Sequence, residues 1–339
     1  MGFLSVLKKW FAEISLEIKK QQGNYTVDVS ETVEDMPEIE DILSDIEIPR
    51  MEAAQSYNKT NVPIFAPDGF PSECGCVPVD LNRFEPGSEE FAKSIGSTQK
   101  SLGLSVDGFC GPNTIEAVAK ECLRDVGGNA IVVGPKAIVL PQKVVTTYLD
   151  DPDLGGLNGR RRNTKVTQMV LHYDVTFSAM STVSVLKNRN LSYHFLIDGD
   201  EKATIYQLSN PTLHVAYHAG PANNNSIGIC INNPADPKYR EMDARRRGRE
   251  RGVSEDVVHG KKRTLLNFFD SQIVSADDLI AKLHLHLQIP RVVQRDEEGT
   301  IRKDVCYDPE VPGLYGHYHI SATKIDPAPL DWNKLTLDE

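Results

Sequence analysis

No apolar run in this chain approaches the ~20 residues a helix needs to cross a bilayer, so the sequence predicts a soluble or peripheral protein with no transmembrane segment. Basic residues are scarce relative to acidic ones. The formal net charge of -11 argues against nucleic acid as the main partner, because phosphate binding is dominated by Lys and Arg. The opening "MGFLSVLKKWFAEISLEIKK" lacks a small-residue cleavage site and carries Lys8 and Lys9 after its apolar run, the reverse of a secretory signal. Synthesis in the cytoplasm without a signal peptide is therefore expected. Val6 stands where a myristoylation pattern needs Ser or Thr. The six cysteines show no paired zinc-finger spacing, and "CGC" at 74–76 is by itself a weak metal or redox signal. Free thiols are expected, with a Cys110–Cys122 bridge inside one small module as the alternative.

What is present fills several domains, since 339 residues suffice for a catalytic domain with a full core plus one or two small modules. Residues 1–22 carry Phe3, Leu4, Leu7, Phe11, Ile14 and Ile18 at helical spacing, an amphipathic helix suited to docking on its own protein or a larger assembly, or to anchoring at a membrane surface. Residues 23–86 are acidic and turn-rich and read as a linker or partner-binding arm. Residues 87–128 read as a helical hairpin: Phe91, Ile95 and Leu102 share one face, a Gly- and Pro-punctuated turn follows, and Ile115, Val118 and Cys122 line the second helix. Residues 129–160 read as a linker, and 161–339 as the catalytic domain.

The hairpin residues Gln99, Leu102, Gly103, Asp107, Gly108, Gly111, Pro112, Thr114, Ala117 and Val118 resemble the three-helix peptidoglycan-binding module found beside cell-wall hydrolases, with Cys110 replacing the usual aromatic of the turn. A small helical spacer without a ligand needs the same glycines and core residues.

In the last domain, "TKVTQMVLHYDVT" reads as a buried strand ending at His172, "SYHFLIDGDEKATIYQL" as a hairpin turning at "DGDE", and "SIGICIN" as a further buried strand. "SADDLIAKLHLHLQI" reads as a helix capped by Ser275. Strands followed by a helix predict an α/β domain with a mixed central β-sheet flanked by helices, beside the small all-α module. "KYREMDARRRGRERG" and "GKKR" form a basic insertion, either a solvated loop or a surface attracted to anionic envelope polymers. His194 points away from Tyr193 on strand alternation and reads as structural; His259, His284 and His286 read as packing or surface residues.

"YGHYHISATKIDPAPLDW" gathers two histidines, a lysine and an aspartate, enough for two ligands of a three-ligand zinc site. His172, at the polar end of its strand, is a candidate for the third, although a lone strand histidine is also read as a hydrogen-bonded core residue. In order, "VLHYD", "SYHFLIDGD", "AYHAGPANNNSIGI" and "GHYHISATKIDPAPLDW" resemble the zinc-dependent N-acetylmuramoyl-L-alanine amidases of the type 2 class, the family of phage lysozyme-like amidases and peptidoglycan recognition proteins.

The resemblance implies zinc held by His172, His317 and Asp326, catalytic roles for Tyr193 and Lys324, and substrate contacts from His218 and Asn225. Tyr173 replaces the second histidine of the family's strand, and Cys230 stands where some relatives place a catalytic glutamate. Within "GHYH", His319 replaces a common aspartate; on an extended segment it would face the same side as His317 and compete for the metal, and Gly316 favours His317. The implied activity is cleavage of the amide between N-acetylmuramic acid and L-alanine. Peptidoglycan is the implied partner, at the cell wall or in the periplasm. A phage lysin or virion-associated enzyme, contacting virion proteins through its N-terminal helix and acidic arm, fits the module order. A non-catalytic recognition protein is the competing expectation.

Overall fold

The computed structural model describes residues 39–72, 74, 76–150 and 159–338. The amphipathic helix expected over 1–22 and the first part of the acidic arm lie outside them. The chain divides into two units, Met1–Glu47 and Ile48–Glu339. The described part of the first holds one short helix, α1 (Ile39–Ser44). Among the described residues no helix is long and apolar enough to cross a membrane.

The second unit begins with three helices, α2 (Met51–Phe65), α3 (Glu89–Ser101) and α4 (Pro112–Val126). Ser88 caps α3 by accepting from the Phe91 amide at 3.0 Å, and Pro112 opens α4, where its missing N–H costs nothing. The helices close on Val62, Phe65, Phe91, Ile95, Cys110 and Ile115. Gln99 clasps the turn between α3 and α4: its Oε1 accepts from the Asp107 and Gly108 amides, and its Nε2 donates to Asp107 Oδ1. Helix α2 lies within the stretch expected to be an arm. Its buried stripe of Ala54, Asn58, Val62 and Phe65 is one residue wide and contains a polar member, so the pattern reads as polar. Asn58 earns its burial by bonding Gly108 O and the Cys110 amide, both at 2.8 Å.

The stretch expected to be a linker carries regular secondary structure between residues 130 and 150. Strands β1 (Ala130–Val133) and β2 (Lys136–Val139) form a hairpin, β3 (Val144–Val145) joins the main sheet, and α5 (Thr147–Asp150) follows. Gln207 and Asn210 hydrogen-bond the backbone of Val132 and Gly134, and Thr212 Oγ1 donates to Phe65 O at 2.7 Å. Leu213 enters the core of the helical module. Module and α/β domain thus share buried contacts.

The main sheet adds β4 (Gln168–Tyr173), β5 (Phe195–Ile197), β6 (Ile205–Gln207), β7 (Ser226–Ile231) and β10 (Gly313–Gly316) in the order β10-β4-β7-β5-β6-β3. All pairs are parallel except β5–β6, the expected hairpin. Strands buried on both faces read as continuous apolar runs, as β4 and β7 do. Met169, Leu171, Ile227, Ile229 and Ile231 pack with Leu279, Ile280 and Leu283 of a long helix, α8 (Asp270–Leu287). That helix starts five residues before the expected cap. Gln272 closes its first turn by accepting from the Phe269 amide, while Ser275 lies inside it and donates to Ala203 O. The opposite face carries Val170, His172, Ser226, Gly228 and Cys230, by register and alternation, under helix α6 (Ala179–Arg189) and the 214–224 segment.

The basic insertion is neither wholly a loop nor wholly solvated. It forms helix α7 (Arg240–Arg247) and the hairpin β8 (Val253–Val258)–β9 (Lys261–Leu266). Arg247 and Arg251 are buried on Asp243 at 2.9 and 2.8 Å, and Arg247 also reaches Asp198 at 3.2 Å. Arginine alternating with glycine and glutamate resembles a solvated run in sequence. Only the fold supplies the buried carboxylates that pair these charges.

Candidate metal centre

His172 leaves the sheet near the carboxyl end of β4, and His317 follows directly on the end of β10, its parallel neighbour. Two adjacent strands ending together set the imidazoles side by side, with ring centroids 4.6 Å apart. The third group arrives on a loop. The Tyr318 amide donates to Asp326 O at 3.0 Å, and Gly316 makes the approach possible, because a Cβ there would stand 2.7 Å from Pro327 Cδ. His172 Nδ1, His317 Nδ1 and Asp326 Oδ2 lie 3.0 to 3.1 Å from one another, all three residues buried. Ligands of a tetrahedral ion at about 2.0–2.2 Å stand roughly 3.3–3.6 Å apart, so the triangle needs to open by only a few tenths of an ångström to surround one. These three residues could hold a metal ion.

The hydrogen-bond network fixes which nitrogen of His172 is free. Ser226 Oγ donates to Ala222 O, leaving its lone pairs for His218 Nε2–H at 3.2 Å. His218 Nδ1 is then an acceptor and takes the His172 Nε2 proton at 3.0 Å. His172 Nδ1 therefore presents a lone pair to His317 and Asp326, the tautomer that a cation requires. Burial holds His172 down to about 4, and His218 is driven well below its ordinary value first by burial and then by its histidine neighbours. Although burial opposes its ionisation, the neighbouring imidazoles of His172 and His317 hold the Asp326 carboxyl below the usual carboxylate range. Two imidazoles and one carboxylate are a donor set suited to zinc.

Tyr193 joins this group, its ring 5.0 Å from that of His172. Its side chain packs with Cys230, which lies in register beside His172, and burial raises its pKa well above the ordinary value. Lys324 is exposed on the loop that delivers Asp326, and its charge reaches His172. His259, at the tip of the β8–β9 hairpin, bonds Lys324 O through Nε2 at 2.9 Å and ties the basic hairpin to that loop.

Two expected residues stand elsewhere. Asn225 precedes β7 at the opposite end of the sheet, where its carbonyl accepts from Thr167 and Gln168 and its side chain donates to Pro309 O. His319 does not share a side with His317, because residues 317–320 form a helical turn (α9) rather than an extended segment. A helix rotates neighbours two apart by about 200°. His319 instead accepts from the Gly316 amide at Nδ1 and donates through Nε2 to Arg302 O at 2.6 Å. His194, as expected, is structural: Nδ1 accepts from the Gly228 amide, and Nε2 donates to His214 O.

The sequence reading passed over Ser226 and Gly228. Their signal is visible in "SIGICI": isoleucines at every odd position, and Ser, Gly and Cys at the even ones. Small side chains at alternate positions of a buried strand leave room on one face, and the His218 ring fills it.

Fold and site together define a mixed α/β domain with a metal-type cluster of two histidines and one aspartate at the carboxyl ends of neighbouring parallel strands. Residues 162–329 match the family described as N-acetylmuramoyl-L-alanine amidase. No curated protein matches the chain significantly. Among solved structures, the chain is similar to AmpDh3 from Pseudomonas aeruginosa in complex with anhydromuramic pentapeptide, with 22% identity, a TM-score of 0.33, and coverage of 50% of this chain and 58% of that one. It thus spans little more than half the length of that protein. It is also similar to the N-acetylmuramoyl-L-alanine amidase LysC from Clostridium intestinale, at 18% identity, a TM-score of 0.29, and coverage of 50% and 81%. The Drosophila peptidoglycan recognition protein SD shows 17% identity, a TM-score of 0.30, and coverage of 55% and 88%.

Proposed function

We propose that this chain is a zinc-dependent peptidoglycan hydrolase that cleaves the amide between N-acetylmuramic acid and the L-alanine of the stem peptide. The observation that carries the reading is the meeting of His172 Nδ1, His317 Nδ1 and Asp326 Oδ2 within 3.1 Å inside a domain that matches the amidase family. His172, His317 and Asp326 would hold a zinc ion there, and when bound it would supply the Lewis acidity that polarises a carbonyl and acidifies water. His218 and Ser226 hold the His172 ring in the tautomer that can ligate. Tyr193 Oη, which burial keeps protonated, hands a proton toward the leaving amine or orients the attacking water. Lys324, on the exposed rim, offers its ammonium to the oxygen that gains negative charge as the carbonyl is attacked. His218, expected as a groove residue, acts in this reading through His172.

The helical module before the domain supports a wall-bound enzyme, with the three helices tethering and the α/β domain cutting. The order of module and amidase, together with the amphipathic pattern of residues 1–22 and the acidic stretch after it, suits a phage lysin or a virion-associated enzyme acting at the cell wall.

Purified peptidoglycan digested with the protein and zinc, and scored by mass spectrometry, should release stem peptides beginning at L-alanine. Tyr193→Phe should keep metal and wall binding but slow release. If the unmodified protein binds wall fragments with zinc present yet frees no L-alanine-terminated peptide, it is a recognition protein.

A further inference from the structure

The second cluster of metal-type side chains lies at the helical module, away from the amidase centre. Cys74 and Cys76, on the connection from α2 to α3, meet Cys122 of α4, and the three sulfurs lie within 4.8 Å of one another. Cys74 and Cys76 are disulfide-bonded, and Cys122 is a free thiol. The loop is held in place by Ser101 Oγ donating to Cys76 O at 2.8 Å and by the Val77 amide donating to Cys74 O at 3.0 Å. Cys74 and Cys122 also line a cavity with Asp125, Lys136, Lys282 and His286.

We propose that these three cysteines form a redox-gated site for a thiophilic divalent cation of the zinc class, with the disulfide as its closed, metal-free form. A dithiol reductant opens the bond: the Cys74–Cys76 S–S bond breaks, two thiols form, and the reductant leaves as its own disulfide. Binding Zn²⁺ then releases three protons and leaves three thiolates on the ion. The resulting single negative charge lies in the cavity lined by Lys282 and Asp125 and by Lys136, which pairs with Asp68, and water fills the fourth position.

Geometry favours ligation over simple packing. Thiolates at about 2.3 Å from a tetrahedral ion stand roughly 3.8 Å apart, a spacing this loop reaches with small shifts once the S–S bond is open. Cys110 and Cys230 are buried in other clusters and supply no such group. The ion would join the α2–α3 connection to the last turns of α4, as a staple within the module. The site is independent of the amidase reading, since neither its residues nor its chemistry touch His172, His317 or Asp326.

Cobalt(II) titrated into the metal-free full-length protein tests this, because thiolate ligands give a near-ultraviolet charge-transfer band that a two-histidine, one-aspartate site does not. The phosphine-reduced protein should show the band, lose it to added Zn²⁺, and lack it after oxidation. Cys122→Ser and, on the half-buried loop, Cys76→Ser should each lose it, while Cys306→Ser keeps it. Absence of the band from the reduced, folded protein overturns the proposal, and so does a band that persists undiminished in both folded variants.

Discussion

Replacing Gly228 with alanine tests the second layer of the metal centre without touching a ligand. The backbone there is not in the left-handed region, so alanine meets no conformational penalty. Its Cβ, however, would stand 2.7 Å from His218 Cγ and 2.9 Å from Cδ2, where carbon contacts settle at about 3.5–4.0 Å. The imidazole must recede by roughly 0.8 Å or more. It cannot do so freely, because it is held on one side by His172 Nε2 at 3.0 Å and on the other by Ser226 Oγ at 3.2 Å. Moving the ring by that amount takes one or both bonds beyond hydrogen-bonding distance. Overpacking of this kind costs about 1–3 kcal/mol of stability. Loss of an outer partner of a metal-binding histidine lowers affinity about 10- to 100-fold, or roughly 1.4–2.8 kcal/mol. Zinc affinity, measured by competition with a chromophoric chelator on folded protein, should fall in Gly228→Ala. Ser226→Ala, which removes the final acceptor without adding bulk, should shift it in the same direction by less. Wild-type affinity in a folded Gly228→Ala protein would refute the hydrogen-bond relay from Ser226 to His172.

The two histidines of "GHYH" should separate cleanly: His317→Ala should abolish turnover and metal retention, while His319→Ala keeps the metal and loses stability. Elemental analysis and unfolding midpoints check both halves. Acid should destabilise the fold through His319 and His194, which burial holds down to about 4 and about 3. Because these folded values lie below the unfolded value near 6.5, their contribution is fully present above that pH. It is lost as pH falls from 6.5 toward 4 and 3, on the order of 3 kcal/mol for His319. Unfolding midpoints followed from pH 7 to 4 should fall less steeply in His319→Gln, and an unchanged slope would count against this account. Deleting residues 1–128 should lower the midpoint or give insoluble protein, because Leu213 loses Phe65 and Phe91, and Thr212 loses the Phe65 carbonyl. A truncated domain as stable as the full chain would show that the shared contacts contribute nothing.

The sequence alone determined the elements whose signals are local. The alternating and continuous apolar runs of β4 and β7 identify buried strands within a residue or two; His172 lies near the end of β4, and His317 and Asp326 lie in the marked stretch that follows β10. These candidate residues can be read this way because each sits next to a strand end or a loop of marked composition. The rest depends on residues far apart in the chain. That His317 and His319 diverge is decided by one helical turn after β10, for which a four-residue segment carries no periodicity. That Arg247 and Arg251 are buried is decided by Asp198 and Asp243, which sequence does not place beside them. Helix α2 is hidden because its inward stripe is narrow and includes Asn58, whose partners are 50 and 52 residues away. The tautomer of His172 was beyond the sequence altogether: a proton is located by the hydrogen bonds of Ser226 and His218, and those exist only where the tertiary fold lays β7 beside β4.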